Sequence, residues 1–282
     1  LQKKPLGAEN SVSFDISEIV NDHIEQIFTG TYASAKSSIW VTVTTSARES
    51  DGTVIGSVTT NTYLAQEGFN KFKEGVNYTT EPIAMMTGTH FEYHKGSTLT
   101  IPVNVERVSQ VEYIGANGIT VGTDTFTDNG NQNQKIQYSQ FANTTVKDVA
   151  RVKVTYDTTS FITILTSEIE ECKYPVNKIT FVNRWGALQD LFFFKKSTES
   201  LDATRENFNR SIFEARAVQL DPPESGTDCQ ESLTFNTYST TAHAKKTFNA
   251  NATESIVLNT GFVNELMNPY FEELMVSEYI WL

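Results

Sequence analysis

His90 and His94 are the pair of residues in this chain whose spacing comes closest to that of a metal site. On a helix, an i, i+4 spacing places both rings on one face, as in zinc proteases. The stretch between them alternates and carries two aromatic residues, which favours a strand. On a strand the rings point the same way but stand about 13 Å apart, because each residue rises about 3.3 Å. One metal ion cannot bridge that distance, so we expect no metal site.

Acidic pairs are the second group of residues that could do chemistry. Glu170-Glu171 and Glu272-Glu273 could serve a glycosidase, whose two carboxylates flank the bond that is cut. Sequence neighbours on a helix or strand do not face each other, so solvated charges are the better interpretation. The sequence also contains no Gly-x-Ser-x-Gly nucleophile elbow and no phosphate-binding loop of the P-loop type. We therefore expect no catalytic residue and no cofactor.

The segment from residue 181 to residue 194 carries the strongest candidate for an interaction surface. Its residues 183–186 predict a chain reversal, since Gly186 can adopt a positive φ without steric cost. The strand that follows has bulky apolar side chains on both faces, so protein must cover both. Either a second sheet of the same chain covers them or a neighbouring subunit does. The candidate interface residues are Trp185, Phe192, Phe193 and Phe194.

The net charge of -12 at pH 7 disfavours two classes of partner. An acidic surface repels a phosphate backbone, so we expect no nucleic-acid specificity, and it also disfavours anionic lipid. No apolar run approaches the roughly 20 residues that cross a bilayer, so we expect no membrane insertion. Cys172 and Cys229 lack a metal-ligand spacing. A disulfide between them stays open, although reduced, buried thiols fit the sequence better.

Short strand-like segments, separated by turn signals every ten residues or so, must position all these groups. They predict a mainly β chain with antiparallel β-sandwich-type domains, a short N-terminal helix at 17–28 and a C-terminal helix at 260–276. We expect an N-terminal β domain over residues 1–170 and a C-terminal β domain over residues 171–282.

Three further features of the sequence carry expectations. Asp51-Gly52, between two alternating segments, predicts a β-hairpin. The Asn-, Gln- and Thr-rich segment 120–150 predicts an extended hairpin arm with a polar tip. The chain starts without Met and stops on a strand-like segment, so we expect both ends of the natural polypeptide to lie outside this sequence.

Four segments spread over most of the chain form a recognisable pattern. They are FDISEIV at 14–20, ECKY at 171–174, FVNRWGALQDLFFFKKS at 181–197, and the stretch from IVLNTG at 256–261 to SEYIWL at 277–282. In these segments the chain resembles uncharacterised virion structural proteins of tailed phages, especially phages of marine and Bacteroidetes-type hosts. The 120–150 segment is not covered, and no segment is a catalytic signature. The resemblance implies a tail or baseplate protein, made in the host cytoplasm and incorporated in the virion.

Three functions compete for this sequence. The first is a non-enzymatic structural component of a phage tail: a distal-tail, baseplate or tail-hub protein that forms a homo-oligomeric ring and contacts other phage tail proteins. The second is a receptor- or glycan-binding module at the tail tip, which requires an exposed aromatic platform or shallow pocket, with Trp40, Trp185 or tyrosines facing solvent. The third is an enzyme such as a cell-wall hydrolase, which requires polar groups that converge in a cleft. The missing catalytic motifs favour the first.

Overall fold

The computed structural model describes residues 14–32, 38–69, 83–128, 135–142, 149–171, 173–209, 215–219, 231–235 and 243–282. Strands far outnumber helices in this part of the chain, which confirms the predicted mainly β, sandwich-like class. The strands are β1 (Ser38–Arg48), β2 (Val54–Gln66), β3 (His90–His94), β4 (Thr98–Asn104), β5 (Val108–Gly115), β6 (Thr120–Thr125), β7 (Ile136–Ala142), β8 (Val149–Tyr156), β9 (Ser160–Ile169), β10 (Asn177–Val182), β11 (Leu188–Phe193), β12 (Thr198–Asn209), β13 (Ala215–Gln219), β14 (Glu231–Phe235), β15 (Lys245–Val257) and β16 (Ile280–Trp281).

A five-stranded sheet in the order β3-β9-β8-β5-β6 forms the largest layer. Its neighbouring strands are antiparallel except β3 and β9, which run parallel. Val111 and Tyr113 on β5 are buried, and so are Val152 and Val154 on β8. Each pair is separated by one more exposed residue, which is the period-2 pattern of a strand with one buried face.

Two smaller sheets supply the opposite side of the core. One joins β4 to β7, and the other has the order β11-β10-β16. Leu99 and Ile101 on β4 share a single hydrophobic cluster with Val111, Val152 and Leu191. The core therefore lies between sheets, as the sandwich prediction requires.

Both predicted helices exist, but they are shorter than expected. The N-terminal helix α1 covers Ser17–Asn21 only. At the other end, a 3₁₀ turn at Glu265–Met267 leads into helix α2 at Asn268–Val276. Proline is tolerated in the first turn of a helix, where no intrahelical donor is needed, so Pro269 marks the start of α2.

The chain divides into two compact units. The larger unit contains Leu1–Lys196 and Leu258–Leu282, and the smaller one contains Ser197–Val257. This division differs from the boundary expected near residue 170. The reason is that Phe181 on β10 and Tyr270 on α2 belong to the same core cluster as the strands of the five-stranded sheet.

The predicted arm over residues 120–150 is not a hairpin of its own in the residues that the structure describes there. Strand β6 pairs with β5, whereas β7 pairs with β4 in a different sheet. The flanks of the segment are therefore parts of the core layers, while residues 129–134 and 143–148 lie outside the described residues, as do Cys172 and Cys229. Among the helices that the structure describes, none has the length and apolarity of a membrane span.

Candidate functional site

The apolar strand β11, which the sequence marks as a candidate interface, is buried within its own chain. Phe192, Phe193 and Phe194 are 5%, 8% and 7% exposed. Phe192 and Phe193 belong to the main core cluster, and the Phe193 ring packs edge-on against Phe271 of α2 at 6.4 Å between centroids. Residues of their own chain therefore cover Phe192 and Phe193, which is one of the two alternatives that the sequence leaves open. A place for the three phenylalanines in an interface stays a prediction.

The turn that carries Trp185 is built around Asn183. Its Oδ1 accepts hydrogen bonds from the backbone N–H groups of Trp185 at 3.0 Å and Ala187 at 3.1 Å, and its Nδ2 donates to the carbonyl of Met85 at 2.7 Å. Gly186 adopts φ +77, as predicted, and a Cβ there would stand 1.8 Å from the carbonyl oxygen of Glu67. Trp185 itself is half-buried, so its place in an interface stays a prediction.

A buried carboxylate on β11 anchors the N-terminal segment 14–32. Asp190 is 2% exposed and accepts hydrogen bonds from the hydroxyls of Tyr32 and Thr180, the latter at 2.7 Å. Lys178 Nζ lies 3.6 Å from Asp190 Oδ2 and donates to Tyr32 Oη at 2.8 Å. Burial raises the pKa of Asp190, and burial together with the Asp190 charge raises the pKa of Tyr32. This buried polar network links the N-terminal segment to β10 and β11.

The histidines behave as the strand prediction requires. His90–His94 forms β3, and the two rings have different partners. His90 Nε2 lies 3.7 Å from Glu92 Oε1, whereas His94 Nε2 lies 2.9 Å from the carbonyl oxygen of Glu171. In the part of the chain that the structure describes, no three His, Cys, Asp or Glu side chains form a group that could hold a metal ion.

The two acidic pairs differ in their environments. Glu170 and Glu171 pair with Lys95 and Lys195, each at 2.5 Å, near the surface. Glu273, expected to be solvated, is instead 1% exposed and accepts a hydrogen bond from the Thr87 hydroxyl. The expectation fails there because α2 lies against the core and turns this side chain inward.

A groove of about 630 Å³ lies between the N-terminal segment, β2 and the C-terminal segment. Its walls include the carboxylates of Asp15, Glu18, Glu67 and Glu278 beside apolar side chains. Burial and the nearby Glu278 raise the pKa of Glu67. Such a groove disfavours anions, but a cluster of acidic groups does not identify a ligand, so we assign none.

The hairpin of β1 and β2 is the first of two long exposed ribbons. The Asp51-Gly52 turn forms as predicted, with Gly52 at φ +92 and Asp51 Oδ1 accepting from Thr53 N at 2.8 Å. A threonine pair, Thr44 and Thr60, faces across the strands at 3.1 Å between hydroxyls. Burial falls from the base of this ribbon toward its tip, where nearly every residue is exposed.

The ribbon of β12 and β15, in the smaller unit, is exposed over its whole length. Its strands have 12 and 13 residues, and every residue is exposed except Ile256, which is half-buried. Large apolar side chains lie open to solvent on it: Leu201 at 63%, Phe208 at 48% and Phe248 at 70%. An isolated two-stranded ribbon is marginally stable in water. The sequence predicted several strands here but not the ribbon that they form. The pattern that could have indicated the ribbon is a run rich in Thr, Asn and Ala, with no neighbouring apolar segment that could cover it.

Both ribbons thus carry large apolar side chains that are exposed in the part of the chain that the structure describes. Comparison of the chain with protein-family models, with curated proteins and with solved structures found no match in any of the three.

Proposed function

We propose that this chain is a non-enzymatic structural component of a phage tail, as a distal-tail, baseplate or tail-hub protein. It acts by assembling into a ring with copies of itself and by contacting adjacent tail proteins. The observation that carries the proposal is the β12–β15 ribbon, which exposes both faces and four large apolar side chains, Leu201, Phe208, Phe248 and Val257. The tail location rests on the sequence resemblance described above.

A long two-stranded ribbon needs a partner in order to stay ordered. Each ordered residue costs about 1–2 kcal/mol of backbone conformational entropy, and a ribbon that packs against nothing recovers little of that by burial. In the residues that the structure describes, β12 and β15 each pair on one side only. An open strand edge and an uncovered face are the groups that another chain can pair with and cover.

The charge of the chain fits this role. A net charge of -12 keeps unassembled copies apart and soluble until specific contacts form. The same charge supports partners that are proteins and disfavours nucleic acid. Receptor or glycan binding is the alternative: Trp40 and Trp185 are both half-buried, whereas Tyr63 on β2 is 53% exposed.

Electron cryo-microscopy of the intact particle tests the proposal. We expect the chain in a closed ring around the tail axis, with the β12–β15 ribbon in contact with another protein. Absence of the chain from purified particles would overturn the proposal.

A matched pair of variants tests the role of the ribbon in full-length protein. Leu201→Ser together with Phe248→Ser removes exposed apolar groups, so folding should be unaffected while incorporation into particles falls. Val276→Ser, at an equally exposed apolar position in the larger unit, is the control and should assemble normally. Equal incorporation of both variants would contradict a role for the ribbon.

A further inference from the structure

The two faces of the β12–β15 ribbon differ in chemistry. Side chains alternate between faces along each strand, and the register fixes which residues share a face. One face is polar throughout the region between the ribbon base and the β-bulge, with Ser200, Asp202, Thr204 and Glu206 on β12 and Asn249, Asn251, Thr253 and Ser255 on β15. The other, which we call the alanine face, carries Glu199, Leu201, Ala203 and Arg205 on β12 and Ala250, Ala252, Glu254 and Ile256 on β15.

Charge is segregated along the alanine face. Glu199 and Glu254 stand at the end near Thr198 and Val257, where the ribbon begins. Arg205 stands beyond the paired alanines Ala203 and Ala252, toward the tip. Glu254 lies opposite Leu201, two residues before the alanine pair, and Arg205 lies two residues after it. The acidic and basic groups are therefore placed symmetrically about Ala203 and Ala252.

We propose that the alanine face packs against the alanine face of a second copy of this chain, antiparallel, around a two-fold axis beside Ala203. This inference rests on the proposed function, because it names the partner of the ribbon. Reversal about that axis brings Arg205 of one copy over Leu201 of the other. Glu254 of that second copy then stands one strand spacing away, about 4.8 Å to the side. A two-fold contact makes this ion pair twice.

The small side chains at the centre suit such a contact. Ala203, Ala250 and Ala252 let two ribbons approach closely, while Leu201 supplies apolar area on each side of the axis. A parallel arrangement would instead bring the two acidic ends together, which costs electrostatic energy. The charge pattern thus selects the antiparallel arrangement.

The size of the contact sets its strength. A ribbon of 12 residues is about 40 Å long and about 10 Å wide, so the contact buries roughly 800 Å² in total. Stable pairwise interfaces bury about 1,200 Å² or more. The ribbon contact alone is therefore weak. Because a two-fold contact closes a pair of copies, a ring requires further, head-to-tail contacts elsewhere on each copy.

Charge reversal tests the proposal in the full-length chain. Sedimentation equilibrium over a wide concentration range gives the dissociation constant for self-association. We expect Arg205→Glu and Glu254→Arg each to weaken self-association about tenfold, since each turns two attractions into repulsions. The double variant should restore the constant to about the wild-type value, because the reversed charges face each other again. Glu206→Arg, on the polar face, is the matched control and should leave the constant unchanged.

A second measurement uses cysteine cross-linking in a chain with Cys172→Ser and Cys229→Ser. Ala203→Cys lies beside the axis and should form a disulfide-linked dimer under mild oxidation, whereas Thr204→Cys on the opposite face should not. Equal cross-linking at both positions, or single reversals without effect, would overturn the ribbon pairing.

The outcomes separate this inference from the proposed function. If the chain self-associates or enters particles but ignores the charge reversals, the ribbon pairing is wrong and the structural role stands. If the wild-type chain neither self-associates nor enters particles, both are wrong.

Discussion

Strand β11 and the β12–β15 ribbon lie a few residues apart in the sequence but differ in their burial. All six residues of β11 are buried, including its polar residues Gln189 and Asp190. The ribbon is twice as long and almost entirely exposed. Exposing a strand that is apolar on both faces to water is unfavourable, so the chain covers it during folding. A ribbon rich in Thr, Asn and Ala can stay exposed in water, which is why we propose it as the assembly surface.

The largest expected effect is truncation in β11. Phe193→Ala should lower the free energy of unfolding by about 3–5 kcal/mol, since it removes a buried ring that contacts Phe271. The matched change on the ribbon, Phe248→Ala, should stay within about 0.5 kcal/mol, because that ring is 70% exposed. Urea denaturation of both variants measures the difference. Similar losses would mean that the ribbon is as well packed as the core.

The next effect is the loss of the buried anchor. Asp190→Ala leaves the Tyr32 and Thr180 hydroxyls without their acceptor, which should cost about 2–3 kcal/mol. It should also expose the 14–32 segment to limited proteolysis. Asp202→Ala, an exposed aspartate of the ribbon, is the control and should change neither quantity. A stable, protease-resistant Asp190→Ala variant would show that the segment is held by other contacts.

A pH prediction separates the core, which contains buried tyrosines, from the ribbon strands, which contain none. Burial, aided by the charge of Glu273, raises the pKa of Tyr270, and burial also raises the pKa values of Tyr113 and Tyr138. The unfolded chain then releases these protons first, so stability is unaffected below pH of about 10 and is lost as the pH rises above it. Each such tyrosine contributes about 1.4 kcal/mol per pH unit to that loss.

Tyr270→Phe measures one of these contributions. It should leave the free energy of unfolding at pH 7 nearly unchanged. At alkaline pH that free energy should fall less steeply with pH, because the folded variant retains one fewer tyrosine proton. Denaturation at a series of pH values from 7 to 11 gives the slope. An unchanged slope would contradict the burial of the hydroxyl. The strands β12 and β15 contain no tyrosine, so changes in the ribbon should not alter this profile.

The smallest effect lies in the ribbon itself. Ser200 and Ser255 hydroxyls pair across the strands at 2.7 Å in an exposed position. Ser200→Ala should destabilise the ribbon by about 0.2–1 kcal/mol without changing the unfolding of the larger unit. Hydrogen exchange of the ribbon amides, compared with those of β8, detects this local change. Faster exchange in β8 would indicate that the two units unfold together.

Local patterns in the sequence predicted much of the fold. The alternation around Val111 and the turn at Asp51-Gly52 depend on neighbouring residues only, and both elements form. Strand β16, at Ile280–Trp281, likewise follows from an apolar segment, although it has only two residues.

Features that depend on contacts between residues far apart in the chain could not be predicted from the sequence. The acceptor that Tyr32 finds is 158 residues away, and Asp190 in an apolar strand was the one visible sign of it. Strands β6 and β7 join different sheets because partners elsewhere in the chain, β5 and β4, compete for them. For the same reason the sequence leaves open what covers Phe192–Phe194, since an apolar pattern indicates that a strand is covered but not by what.

Hydrogen exchange of the ribbon amides at 198–209 and 245–257, in the free chain and in purified particles, tests the central claim most directly. We expect fast exchange of the ribbon amides in the free chain and strong protection of them in the particle, with β11 protected in both states. Equally fast exchange of the ribbon in both states would contradict it.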